Sequence, residues 1–136
     1  ITEIFLKNMC WAVIDKESGK LIGNVGLDVD LRRPNLGSKE LGYSLDEDFW
    51  GKGLMTEAAK RIIVYGFEVL NLDIISINTG EENFGSQSVI NKCGFHFEGV
   101  LRHSSRAHDG SPRNLRTYSM LKSEYQQLKS EGRFDG

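Results

Sequence analysis

One stretch, Leu41–Leu70, constrains the fold more than the rest of the sequence. Apolar residues alternate with small ones over Leu41–Leu45, which is the period-2 pattern of a strand. Two glycines then flank Lys52 in a short loop, and from Leu54 onward apolar residues recur every four positions. They form two adjacent rows: Leu54, Ala58 and Ile62 in one, and Met55, Ala59, Ile63 and Phe67 in the other. This broad apolar face predicts a helix that packs on a sheet and ends near Leu70.

The glycine loop before this helix predicts an anion site. The first amide N–H groups of a helix are unpaired and carry partial positive charge, and glycines let a ligand approach the backbone. A phosphate or pyrophosphate suits such a site, although an ordinary strand-to-helix turn explains a GxG equally well. The loop is not a P-loop, because Leu54 rather than a lysine follows Gly53. Nor is it a dinucleotide fingerprint, because Thr56 occupies the place of the third glycine.

The remaining patterns predict strands that alternate with two helices and end in a hairpin. We expect the tail of a helix over Ile1–Asn8 and a hairpin of strands Cys10–Asp15 and Leu21–Leu31, with Gly19 in its turn at positive φ. A loop over Arg32–Ser38 and a strand over Asp73–Thr79 are predicted next, followed by a helix over Phe84–Lys92 that Asn83 caps and Gly94 ends. The last strands, Phe97–Ala107 and Asn114–Leu121, are predicted to form a hairpin with its turn at Asp109-Gly110. One or two helical turns are expected after Lys122. This order predicts one domain over 1–136 with an α+β or mixed α/β sheet.

Composition excludes several other classes of protein. The net charge of −2 gives no support to nucleic-acid binding, and no apolar run approaches the roughly 18 residues of a membrane span. Without a signal peptide and with two widely separated cysteines, Cys10 and Cys93, a cytoplasmic protein is expected. The three histidines lack a metal-ligand pattern, so no metal site is predicted.

The segment FWGKGLMTEA resembles the acyl-CoA pyrophosphate loop of the GNAT acetyltransferases, specifically the ribosomal-protein N-acetyltransferase (RimJ/RimL-like) branch. The resemblance continues through ENFGSQSVINKCGFHFEGVLR and DGSPRNLRTYSMLKSEY, and so covers most of the chain. Trp50 and Met55 depart from the general family pattern, as is usual in this branch, while Gly53 occupies the invariant glycine position. The resemblance implies a mixed sheet in which two parallel strands, Glu40–Leu45 and Asp73–Thr79, splay apart, so that a pantetheine arm can bind between them. Relative to the family, we expect this sequence to lack the first strand and the helices that precede the Cys10–Asp15 strand.

The resemblance also implies acetyl-CoA as co-substrate and assigns its binding residues. These are Tyr43, Ser44 and Leu45 of the strand, Trp50, Gly51, Lys52, Gly53, Leu54, Met55 and Thr56 of the loop, and Asn83, Ser86 and Lys92 of the second helix. A backbone N–H near Ser44 or Leu45 is the expected oxyanion donor. Simpler alternatives remain open: Lys52 and Lys92 as solvated lysines, and Asn83 with Ser86 as helix-capping residues.

Two catalytic residues follow from the same resemblance. Many members use a tyrosine of the second helix to protonate the CoA thiolate, but Ile90 stands in that place, so Ser86 is the expected acid. Glu40 is the expected base for the amine, with an exposed strand-end glutamate as the alternative.

The resulting prediction is an acetyl-CoA-dependent N-acetyltransferase that works by direct transfer, since neither cysteine lies in a nucleophile motif. The expected acceptor is a protein N-terminal α-amine first and a polyamine or other small amine second, for a monomer or homodimer. The alternatives are a non-catalytic acyl-CoA-binding or regulatory module, and a plain interaction domain without cofactor.

Overall fold

The computed structural model describes residues 2–7, 9–34 and 36–134, with side chains from residue 9 onward. This part of the chain contains seven strands and three α-helices. The strands are β1 (Thr2–Lys7), β2 (Cys10–Ile14), β3 (Leu21–Asp28), β4 (Ser38–Leu45), β5 (Ile74–Gly80), β6 (His96–Arg106) and β7 (Pro112–Leu121). The helices are α1 (Leu54–Glu68), α2 (Phe84–Cys93) and α3 (Lys122–Ser130). The predicted α+β class is confirmed.

All seven strands form one mixed sheet in the order β1-β2-β3-β4-β5-β7-β6. Only β4 and β5 pair in parallel, and their register runs from Ser38 opposite Ile74 to Leu41 opposite Ile77. β4 continues to Leu45 and β5 to Gly80, so the two strands separate beyond these last partners. The predicted splay between the central parallel strands is therefore present.

The helices α1 and α2 pack against one face of this sheet and form the core with it. The buried side of α1 carries both predicted apolar rows, with Ala58, Ile63 and Phe67 almost fully buried. A Cβ on Gly66 would lie 2.8 Å from Cδ1 of Ile75, so glycine lets α1 approach β5 closely. α1 ends at Glu68, two residues before the predicted end, and Asn71 then adopts positive φ. The capping of α2 is as predicted, with Asn83 Oδ1 accepting from Ser86 N–H at 3.0 Å.

Two predictions near the start of the chain are wrong. The expected helix tail over Ile1–Asn8 is instead strand β1, antiparallel to β2, while Ile1 and Asn8 lie outside the described residues. The strand predicted over Leu21–Leu31 ends at Asp28, because the side chain of Asp30 turns toward the sheet. The Asp30 carboxylate is buried and accepts from Ser76 Oγ at 2.9 Å and from Arg32 N–H at 3.1 Å. The chain after β3 therefore lies against the face of the sheet opposite α1, which we call the helix-free face.

The C-terminal elements agree closely with prediction. β6 and β7 form the expected hairpin, and Gly94 ends α2 at φ 92°. α3 is nine residues long, slightly more than the two turns expected. Tyr125 on α3 is buried and stacks on Phe67 of α1, with ring centroids 4.9 Å apart, which fixes α3 against the core.

Candidate functional site

A cleft of about 830 Å³ opens where β4 and β5 separate. α1 and α2 begin at its two sides, because each follows the free end of one of these strands. Its lining unites both predicted catalytic residues with every predicted cofactor residue except Lys52. From the predicted set these are Glu40, Tyr43, Ser44, Leu45, Trp50, Gly51, Gly53, Leu54, Met55, Thr56, Asn83, Ser86 and Lys92.

The α1 end of the cleft has the geometry of an anion site. Gly51 and Gly53 adopt φ of 76° and 75°, left-handed conformations that favour glycine. Gly53 caps α1 without a side chain, and the first intrahelical bond runs from Glu57 N–H to Gly53 O, at 3.1 Å. The amides of the three preceding residues lie before that bond, as at any helix start. The cleft therefore meets a helix N-terminus from which no side chain projects at the cap.

The indole of Trp50 fixes the start of the loop. Its Nε1 donates to the Leu45 carbonyl at 2.8 Å, although the side chain is 61% exposed. The acidic segment before it, Asp46–Asp48, is exposed and includes part of a 3-10 turn, Glu47–Phe49. The Trp50 hydrogen bond ties the start of the loop to the end of β4.

Tyr43 and Ser86 meet across the middle of the cleft. The Tyr43 hydroxyl lies 2.8 Å from Ser86 Oγ and donates to the Ser86 carbonyl at 3.3 Å. Burial raises the pKa of Tyr43 to about 12, despite the opposing effect of the Ser86 hydrogen bond. Tyr43 is therefore protonated at neutral pH, and either hydroxyl of the pair can donate to the other.

Glu40 lies at the closed end of the cleft, half-buried beside Ser76 in the parallel register. One oxygen of its carboxylate accepts from Asn78 Nδ2 at 2.6 Å. Burial and the negative charge of Asp30 raise the pKa of Glu40, and the charge of Arg32 together with the Asn78 hydrogen bond oppose that shift. A carboxylate with a raised pKa is a better proton acceptor than an exposed one.

Three residues discussed from the sequence, Lys52, Ile90 and Cys93, lie outside the cleft lining. Lys52 does not line the cleft, and its Nζ lies 5.2 Å from the centroid of the Phe49 ring. Ile90, in the place of the family tyrosine, is fully buried in the core rather than in the cleft lining. Cys93 is also buried, and burial raises the pKa of its thiol to about 12, which keeps it protonated.

Several lining residues were missed by sequence reasoning. Asn78 and Thr79 lie on the splayed end of β5, where polar residues interrupting an apolar strand are a usable signal. Ser88 and Val89 belong to α2, and Val89 reads simply as a core residue. His108 and Arg113 come from the β6–β7 hairpin, and only the folded sheet brings them to the cleft.

Within the described residues there is no group of three or more His, Cys, Asp or Glu side chains placed to hold a metal ion. Among the described helices, none has the length and apolar content required to cross a bilayer.

The chain is similar in sequence to a family of acetyltransferases. Residues 2–96 match the acetyltransferase (GNAT) domain family. An uncharacterized N-acetyltransferase, p20, of Bacillus licheniformis is 36% identical over 115 residues, which cover 85% of this chain and 63% of that protein. A spermidine N(1)-acetyltransferase of Escherichia coli strain K12 is 41% identical over 64 residues, 47% of this chain and 34% of that protein.

A solved structure shares the fold. The ribosomal-protein-S5-alanine acetyltransferase from Vibrio fischeri superimposes with a TM-score of 0.76 at 26% identity, covering 85% of this chain and 62% of that one. The chain thus spans less than two thirds of the length of each of these proteins. Because the family match covers most of the chain and the splayed sheet agrees with it, the chain belongs to the GNAT acetyltransferase family.

Proposed function

We propose that this protein is an acetyl-CoA-dependent N-acetyltransferase that transfers the acetyl group directly to a primary amine. The observation that carries the proposal is the cleft between β4 and β5, which joins a glycine-capped helix N-terminus to a carboxylate and a pair of hydroxyls. The pyrophosphate of CoA fits the amides at the start of α1. The pantetheine arm fits the gap beyond Leu41 and Ile77, where it can pair with free strand edges.

The backbone of β4 supplies a donor for the oxyanion. Asp46 N–H donates to Ile22 O of β3 at 2.7 Å. Because successive amides of a strand point to opposite edges, the N–H groups of Leu45 and Tyr43 point toward the gap. Of the two expected donors, Ser44 and Leu45, this alternation favours Leu45. An N–H already fixed in this direction stabilises negative charge on the acetyl oxygen without reorganisation.

Acetyl-CoA supplies a thioester whose carbonyl the amine attacks, with the thiolate as leaving group. Ser86 lies in the cleft at the start of α2 and is the proposed donor to that sulfur. When Tyr43 donates to Ser86 Oγ, the Ser86 hydrogen is free to point into the cleft. Tyr43 then replaces the proton that Ser86 gives, and its high pKa keeps it protonated beforehand.

The proposed base for the amine is Glu40. An attacking amine must be neutral, and an α-amine with a pKa near 8 needs less assistance than a lysine-like amine near 10.4. Glu40 lies at the closed end of the cleft, and burial together with the charge of Asp30 raises its pKa, which makes it a stronger base.

We propose a protein N-terminal α-amine as the first acceptor, in line with the ribosomal-protein branch that the sequence resembles. The structural similarity to the S5-alanine acetyltransferase supports this choice. The spermidine acetyltransferase, 41% identical over part of the chain, favours a polyamine as the second candidate.

Turnover assays test the proposal. The protein is mixed with acetyl-CoA and either an alanine-initiated peptide or spermidine, and release of the CoA thiol is measured. Acetylation of either amine is the expected result, with the peptide preferred. CoA binding without turnover of any amine favours the acyl-CoA-binding module instead, and no CoA binding favours the plain interaction domain.

A further inference from the structure

The loop between β3 and β4 carries charged side chains across the helix-free face of the sheet, next to Glu40. Its anchor is Asp30, buried at 2% exposure, whose carboxylate accepts from Ser76 Oγ on β5 and from Arg33 Nη1 at 3.3 Å. Arg33 also binds Glu98 through two contacts of 2.9 and 3.0 Å. These bonds fix residues 30–33 against the sheet.

Arg32 extends from this anchored loop toward Asn78, the hydrogen-bond partner of Glu40. Its Nη1 donates to Asn78 Oδ1 at 3.3 Å and to Thr117 Oγ1 at 3.4 Å. On the other side of the same amide, Asn78 Nδ2 donates to Glu40 at 2.6 Å. Arg32 itself does not line the cleft.

The chemistry of the three groups admits only one orientation of the Asn78 amide. A guanidinium has only donors, so the carbonyl oxygen of Asn78 must face Arg32. An ionised carboxylate has only acceptors, so the NH₂ group must face Glu40. If Arg32 is removed, the amide loses the partner that holds its oxygen away from the carboxylate.

We propose that Arg32 is a positioning residue that orients the Asn78 amide and, through it, the carboxylate of Glu40 at the closed end of the cleft. The inference rests on the proposed function of Glu40 as the base. A single hydrogen bond of this kind contributes roughly two- to tenfold, so the loss of Arg32 is expected to lower kcat by that factor.

The charges that face Glu40 come from two elements. Asp28 on β3 and Asp30 on the loop disfavour its ionised form, and Arg32 on the loop favours it. Removal of the Arg32 charge therefore moves the pKa of Glu40 upward. Because a base acts only when ionised, the acidic limb of the kcat/KM profile shifts to higher pH in the same variant.

The test uses Arg32→Gln and a matched control, Arg61→Gln, whose arginine lies on α1 outside the cleft lining. The Glu40 carboxyl is followed by NMR with carboxyl-¹³C-labelled glutamate, its signal identified by its loss in Glu40→Gln. A higher pKa in Arg32→Gln, unchanged in Arg61→Gln, is the expected result. Identical titration of Glu40 in the wild type and Arg32→Gln overturns the inference, whatever the activity.

Activity provides the second measurement, with acetyl-CoA and an alanine-initiated peptide, or spermidine if only the polyamine is acetylated. In the Glu40→Gln background, Arg32→Gln is expected to cause little further loss, because the two residues act through one contact chain. Equal losses in both backgrounds overturn the inference. If the Glu40 signal moves but Glu40→Gln is as active as the wild type, Arg32 positions Glu40 and the proposed base is wrong. Arg32→Lys, which keeps the charge, is expected to recover part of the loss.

Discussion

The hydroxyl of Tyr43 on β4 lies 2.8 Å from Oγ of Ser86 on α2, so one contact bridges the cleft at the level where the strands have separated. The bridge therefore links the proposed acid to a second proton donor with a pKa of about 12.

Ser86→Ala is expected to lower kcat by about 10²-fold, with little change in acetyl-CoA affinity, because the hydroxyl acts as charge builds on sulfur. Tyr43→Phe is expected to cost about two- to tenfold, the contribution of one hydrogen bond. In the double variant, the tyrosine effect should disappear. Steady-state kinetics with Ser123→Ala as the control checks this. Weaker cofactor binding at unchanged kcat would instead make Ser86 a binding or capping residue.

Glu40→Gln is expected to reduce the acetylation rate mainly at low pH, where fewer amines are already neutral, and a higher pH should recover part of the loss. Burial raises the pKa of Glu40 in the folded protein, so its ionisation opposes folding at neutral pH. The same variant should therefore have a higher Tm at pH 7, a difference that diminishes as the pH falls. Rate profiles and thermal unfolding are measured beside Glu17→Gln. An equal rate loss at every pH would assign Glu40 a structural role.

Asp30→Asn is expected to destabilise the fold by about 2–3 kcal/mol at pH 7, since it weakens hydrogen bonds to a buried charge. Although burial acts to raise it, the pKa of Asp30 lies below its usual value, because Ser76, the Arg32 amide and Arg33 all favour the ionised form. The stabilisation is thus present above the unfolded pKa near 4 and is lost as the pH falls through the folded value. Denaturant unfolding as a function of pH checks this, with exposed Asp48→Asn as the control. A pH-independent difference would contradict the electrostatic origin.

The central elements of the site could be predicted because their signals are local. The alternation of Leu41–Leu45, the glycine loop and the apolar rows of α1 each follow from backbone geometry and helix period. Asn83 as a cap and Gly94 as a stop are likewise decided by their own backbone environment.

The end of β3 could not be predicted, because the apolar residues after it are exposed and the polar residue between them is buried. Val29 and Leu31 continue the apolar alternation but are 55% and 85% exposed, while Asp30 between them is buried. Ser76, which satisfies Asp30, lies 46 residues away in the sequence. The pair of Glu40 with Asn78 depends in the same way on the parallel register and has no local signal.

The position of Lys52 illustrates the same limit. Its place between two glycines suggests a phosphate contact, but both glycines adopt positive φ and Lys52 lies over the Phe49 ring. Its assignment to the cofactor stays a prediction. The loop backbone and the start of α1 remain the stronger candidates for the pyrophosphate.

The account depends most on the claim that the cleft binds CoA with its pyrophosphate at the start of α1, and calorimetric titration of CoA into three proteins tests it. A Cβ on Gly53 meets nothing within 4 Å, so a valine there enters the open space of the cleft. Gly19 has a similar φ of 71° and the same open surroundings but lies outside the cleft lining, so Gly19→Val carries the same backbone strain. We predict equal CoA affinity for the wild type and Gly19→Val, and affinity about tenfold weaker or more for Gly53→Val. Equal affinity in all three proteins would contradict the assignment.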